Sequence, residues 1–178
     1  MKKIALTGLA LLSTTCLAAE DESATLSVTG SVHQPYSCSV SLSRTTADLG
    51  SQKIDNLPTA TTSPINTTSS VLVTAAVTGA GCIDYTNIDN YYAHTALRFT
   101  GVADSNESTV LANTLSGDSA ANGVAVGLYT IEGARFNINE NIPLSNGRLP
   151  FFISMVKVSD HPSAGNVQSS LTVSVEHL

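Results

Sequence analysis

Residues 166–177 carry the strongest constraint in the chain. Val167, Ser169, Leu171, Val173, Val175 and His177 alternate with Asn166, Gln168, Ser170, Thr172, Ser174 and Glu176. Side chains of an extended chain point to opposite faces in turn, so this period-two pattern is a strand with one apolar and one wet face. No turn signal or further strand pattern follows before Leu178. The expectation is a strand whose outer edge receives no partner from the residues after it. Such an edge, with its free N–H and C=O groups, is a template for another strand. Burying Val167, Leu171, Val173 and Val175 would contribute roughly 6–12 kcal/mol gross, comparable with the net stability of a whole domain.

A second alternating stretch lies near the other end, where Ala24, Leu26 and Val28 alternate with Thr25, Ser27 and Thr29 before Gly30. Between the two, short apolar runs are separated by clusters of turn-forming residues. Residues 31–42 read as a strand interrupted at Pro35, which places it at an edge or a bulge. Residues 47–52 read as a short turn or strand start, and 56–70, with two prolines and many hydroxyls, as a loop. Strands are expected at 71–79, 96–102, 123–131 and 149–158, with 109–114 extended and 132–139 as a hairpin partner of 123–131. Residues 140–148 read as a loop with an Asn-Gly turn at Asn146 and Gly147. The unbroken apolar run of 149–158 implies a strand covered on both faces. About a quarter of the chain is Ser plus Thr, a composition that suits strands and polar loops over helices. Together these features predict an all-β sandwich.

Residues 1–19 carry Lys2 and Lys3, then a short apolar run, then small residues, the pattern of a secretory signal cleaved after Ala18 or Ala19. The run is too short for a membrane span. Without the signal, six basic residues remain against fourteen acidic ones, a net charge of −8. That balance argues against nucleic acid and anionic membrane surfaces as partners. Cys16 leaves with the signal, so Cys38 and Cys82 remain. An even count in an exported chain argues for one disulfide, the alternative being two buried thiols.

Catalytic and metal patterns are absent from the reading. His33, His94, His161 and His177 are scattered singly, with none of the spacings of a metal site. There is no nucleophile elbow and no phosphate-cradling loop. No cofactor and no enzymatic activity are expected. Tyr85, Tyr91 and Tyr92 form a cluster that suits either a half-buried sheet edge or a sugar-binding surface.

The order of these features resembles the pilin subunits of the chaperone–usher fimbriae of Gram-negative bacteria, of the type 1 fimbria-like kind. The alternating arm ends at Gly30; Cys38, an Asp-Leu-Gly segment at Asp48, Leu49 and Gly50, and Cys82 follow; then come the strand from Gly123 to Tyr129 and the terminal alternating strand. Gly165 stands fourteenth from the end, as the family's glycine does, while His177 replaces its penultimate tyrosine. The resemblance implies an incomplete immunoglobulin-like β-sandwich lacking its final strand, completed by a donor strand from a chaperone or a neighbouring subunit. It divides the chain into a signal peptide (1–19), a donor-strand extension (20–30) and a pilin domain (31–178). It implies that Ala24, Leu26 and Val28 insert into a neighbour. Gly165, Val167, Ser169, Leu171, Val173, Val175 and His177 would form the acceptor groove and the chaperone-binding strand, and Cys38 and Cys82 the disulfide. The implied partners are a periplasmic chaperone, an outer-membrane usher and other fimbrial subunits in a head-to-tail polymer. The implied location is the cell-surface fimbrium, reached through the periplasm. The implied role is structural and contributes to cell adhesion, with any host receptor met through the fibre. Two alternatives stand beside it: a minor or tip-associated subunit that binds a glycan directly, and a closed sandwich in which the two terminal strands pair with each other.

Overall fold

The computed structural model describes residues 37–61, 70–87 and 89–178. The expected donor-strand residues Ala24, Leu26 and Val28, the expected signal peptide and Pro35 lie outside these residues. Among the described residues the chain is all-β, apart from single 3-10 turns at Ile54–Asn56 and Ala80–Cys82. The strands are β1 (Ser39–Leu42), β2 (Ser70–Thr78), β3 (Thr95–Thr100), β4 (Val124–Thr130), β5 (Asn141–Pro143), β6 (Arg148–Lys157) and β7 (Thr172–His177). They form a four-stranded sheet in the order β1-β2-β6-β4 and a three-stranded sheet in the order β5-β3-β7. Every ladder between strands is antiparallel.

The sheets pack face to face through the inward row of each strand. Val73 and Val77 of β2, Leu97 and Phe99 of β3, Val126 and Leu128 of β4 and Phe151 of β6 join one buried cluster. Phe99 and Phe151 meet edge to face across the layers with centroids 5.1 Å apart, and Phe136 lies tilted against Phe99 at 5.0 Å and edge to face with Phe151 at 5.9 Å. Such pairs contribute about 0.5–1.5 kcal/mol beyond the area they bury.

An immunoglobulin constant-type sandwich also has seven strands, and its three-stranded sheet runs on past the strand equivalent to β7. Here the third strand, β5, lies on the far side of β3, and β7 is the edge. The fold is therefore immunoglobulin-like, with no strand beside β7 among the described residues. The opposite edge of the larger sheet is covered. Leu111 and Val126 exchange backbone hydrogen bonds of 2.8 and 2.9 Å along the outer side of β4.

The unbroken apolar run of β6 has the expected cause. Phe151 and Ile153 face the main core, while Val156 and Phe152 join Tyr129, Val110 and Ala60 in a second cluster on the outer face. Tyr129 is fully buried there; its hydroxyl and Arg135 Nη1 both donate to the Ala60 carbonyl at 3.1 Å. Burial pushes the Tyr129 pKa up to about 12. Two expectations need correction and a third is met in short form. The terminal ladder starts at Thr172, and the residues before it bond to loop residues 113–121. Residues 132–139 do turn back antiparallel beside β4, with pairing confined to the bridge between Tyr129 and Arg135. Asn141–Pro143, read as loop, pairs with β3 because Ile142 packs on the core.

Candidate functional site

The disulfide places the two edges that matter. Cys38, just before β1, is bonded to Cys82, just before the segment that leads into β3. β1 is the edge of the larger sheet, β7 the edge of the smaller, and the two lie against each other on the same side of the sandwich. Between and beyond them the layers part into an open cleft of about 1030 Å³. One wall is the segment 44–55 with Leu42, and the other is 163–171. Val73, Phe151 and Ile153 of the main core form its floor at one end, and Val124, Ala121 and Met155 at the other.

Main-chain direction along β7 follows from its register. Thr95 stands opposite His177, so Leu178 stands opposite His94, and the Leu178 N–H donates to the His94 carbonyl at 2.9 Å. In an antiparallel ladder a residue turns both its N–H and its C=O to the same neighbour, and the direction alternates along the strand. The even-numbered residues of β7 thus face β3. Val173, Val175 and His177 turn their main chains to the open edge. Upstream the phase continues: Asn166 and Gln168 bond inward to Ser119, Ala121, Asn113 and Thr114, which leaves the main chains of Val167 and Ser169 facing outward. β1 behaves alike. Ser43 donates to the Thr74 carbonyl at 2.9 Å and stands in register with it, so Val40 and Leu42 point their main chains away from β2.

The same odd-numbered residues send their side chains to the core. Val167, Leu171, Val173 and Val175 pack on the main cluster, yet each is only half-buried, whereas Leu97 and Phe99 on neighbouring β3 are fully buried. One row of residues therefore offers partly wet apolar side chains together with backbone groups that have no strand beside them among the described residues. An added strand with alternating apolar residues satisfies both needs.

Cys38 and Cys82 are disulfide-bonded. Gly165, Val167, Ser169 and Leu171 line the cleft. Gly165 is there because its backbone runs against the next segment: a Cβ would lie 2.4 Å from Ala120 C and from Ala121 N. Ser169 Oγ donates to the Ala112 carbonyl at 2.6 Å, tying the wall to the adjoining loop. Val173 and Val175 belong to the edge strand, and His177 is exposed at its end. The second wall escaped the sequence reading. Leu49 packs on the core clusters at both ends of the cleft, within a stretch that is otherwise mostly exposed. Its one legible signal was a lone leucine in a polar run between Asp48 and Gly50.

The titratable side chains lining the cleft are Arg44, Asp48, Lys53 and Asp55 of one wall. Among the described residues no group of three or more His, Cys, Asp or Glu side chains is placed to hold a metal ion. The Asp84 carboxylate sits below the ordinary range because the Thr86 hydroxyl and N–H donate to it, and His94 pairs with it at 3.4 Å, but both lie outside the cleft.

No family model matches the sequence, and no curated protein matches it. Solved structures similar to the chain include two pilus proteins. One is an antigen and type I fimbria protein of Burkholderia pseudomallei, at 18% identity and a TM-score of 0.39, covering 60% of this chain and 63% of that one. The match thus spans under two thirds of that protein's length. Another is the P pilus rod subunit PapA, at 15% identity and a TM-score of 0.47, covering 79% of this chain and 99% of that one.

Proposed function

We propose that this chain is a structural subunit of a chaperone–usher fimbria, polymerised head to tail by donor-strand exchange. The observation that carries the reading is the outer edge of β7 together with the cleft that continues it along 163–171. Along that edge Val173 and Val175 keep partly wet side chains and turn their main chains to a side where no strand lies among the described residues. The donor is the arm 20–29 of a neighbouring subunit, inserting Ala24, Leu26 and Val28. Before assembly a periplasmic chaperone fills the same groove with a strand of its own, and the outer-membrane usher is where one strand replaces the other. The fibre stands on the cell surface and contributes to adhesion, and the subunit itself carries out no catalysis. A contact of this kind joins different surfaces of identical copies, so it does not close and grows into a filament.

The test is assembly in the periplasm with a candidate chaperone, with and without residues 20–29. Samples are run unheated and heated on a denaturing gel. A ladder that dissolves only on heating and disappears with the deletion supports donor-strand exchange. A chaperone-independent monomer band in both cases would mean the edge is satisfied within one chain.

A further inference from the structure

We infer that Tyr85 and Tyr91 form a second, non-covalent contact between consecutive copies of this chain, against the Gly165 end of the neighbour's sandwich. The inference rests on the donor-strand reading. Tyr85 is 67% exposed and Tyr91 47% exposed, and no other aromatic residue among those described is classed as exposed. Exposed tyrosines gathered in one place are the composition of an interface core, since each offers a large rigid face at low entropic cost.

The loop that presents them is braced. The Asp84 N–H donates to the Tyr91 carbonyl at 2.7 Å, Asn90 accepts from the Tyr92 N–H at 3.0 Å, and the Asp84 carboxylate holds Thr86. Three residues before Tyr85 stands the disulfide to Cys38. Neither Tyr85 nor Tyr91 contributes a side-chain hydrogen bond to this bracing. The fold spends several polar groups to hold a loop whose two aromatic rings face solvent.

Its place in the sandwich selects the partner. The Gly81 N–H donates to the Ser37 carbonyl at 3.2 Å, so residue 37 enters the domain at the end where this loop lies. The arm 20–29 is joined to that point by the seven residues 30–36. Fully extended, these reach about 25 Å at most. A neighbour whose cleft holds the arm is therefore kept against this end. Every strand ladder in the sandwich is antiparallel. An arm running antiparallel to β7 leaves the cleft near Gly165, so that end of the neighbour meets the tyrosines. Beside Gly165 there, the surface offers a polar hollow of about 370 Å³ lined by Asn106, Asn113, Ser116 and Asn122. Its amide and hydroxyl groups suit phenol hydroxyls.

The experiment compares fibres of the full chain with those of the double variant Tyr85→Ser, Tyr91→Ser, and of Ile131→Ser as an exposed-site control. Assembly is read from the heat-sensitive gel ladder, and bending from contour images of negatively stained fibres. The expected result is an unchanged ladder in all three, with a shorter persistence length in the tyrosine variant alone. An unchanged ladder with unchanged persistence length overturns the tyrosine contact and leaves strand exchange standing. No ladder from the unaltered chain overturns the strand-exchange reading and this contact with it. Stiffness that is unchanged, with glycan-array binding lost in the tyrosine variant, overturns the contact in favour of a saccharide surface.

Discussion

Val173 is the residue at which the cleft reading makes its sharpest demand. In the free domain its side chain is half-buried, and water reaches part of it. On the proposed function, a strand added along the β7 edge and on into the cleft completes its burial beside Phe99, its partner in register. Completing the burial of Val167, Leu171, Val173 and Val175 contributes at most about a third of the 1.5–3 kcal/mol available per side chain, roughly 2–4 kcal/mol gross. Leu26 and Val28 of the donor add a similar amount. Val173→Thr keeps the shape and the β preference but places a hydroxyl where a methyl was. In the free domain that hydroxyl stays wet, and the expected loss of stability is under about 1 kcal/mol. In the filled cleft it is buried without a partner, at about 1–3 kcal/mol. The affinity for the strand should then fall about 5- to 150-fold. The assay is a titration of a labelled peptide of residues 20–30 into the domain 31–178, with thermal melts of the free domain alongside. Thr172→Val, one position along on the exposed face, serves as control and should leave the affinity unchanged. Equal effects of Val173→Thr on the melt and on the affinity would show that Val173 is as buried before binding as after it. The cleft would then not be where the strand goes.

Further expectations follow from single features. Reducing the Cys38–Cys82 bond, whose ends lie 44 residues apart, should cost about 4 kcal/mol. In thermal melts with and without reductant that is roughly 8–16 °C. Phe151→Ala removes the ring that meets both Phe99 and Phe136, and chemical denaturation should register a loss of about 3–5 kcal/mol. Gly165→Ala drives a methyl into the Ala120–Ala121 backbone, which is unable to yield like a side-chain tip. It should destabilise by about 1–3 kcal/mol and weaken peptide binding through the displaced wall. The Glu107 carboxyl is held below its ordinary value of 4.5, first by the Thr109 hydroxyl and then by Arg135. A depressed folded pKa contributes stability that is present above the unfolded value and lost as pH falls through the folded one. Melts should therefore show the advantage of the parent chain over Glu107→Gln at neutral pH, shrinking progressively once pH drops below about 4.5.

The sequence by itself determined the all-β class and most of the strands, though not Asn141–Pro143 or the start of the terminal ladder. Alternation at Val173 and Val175 sorts side chains between core and solvent whatever the strand's neighbours are, because the pleat has period two. Two cysteines outside the expected signal segment likewise argued for their bond before any geometry was known. Local pattern was silent on pairing. The terminal alternation runs evenly from Asn166 to His177, yet only the part from Thr172 lies beside β3, while the earlier part leans on loop residues 113–121. Nothing in period two distinguishes those partners. Leu49 was invisible as a cleft residue because its contacts are with side chains far along the chain. A single leucine in a polar run has no periodicity to betray its face. Only the tertiary structure decided that β1 and β7 are edges on the same side. It also set which residues turn their main chains outward there and left their side chains half-wet. Those facts depend on sheet order and register, which are set by long-range packing between the two layers.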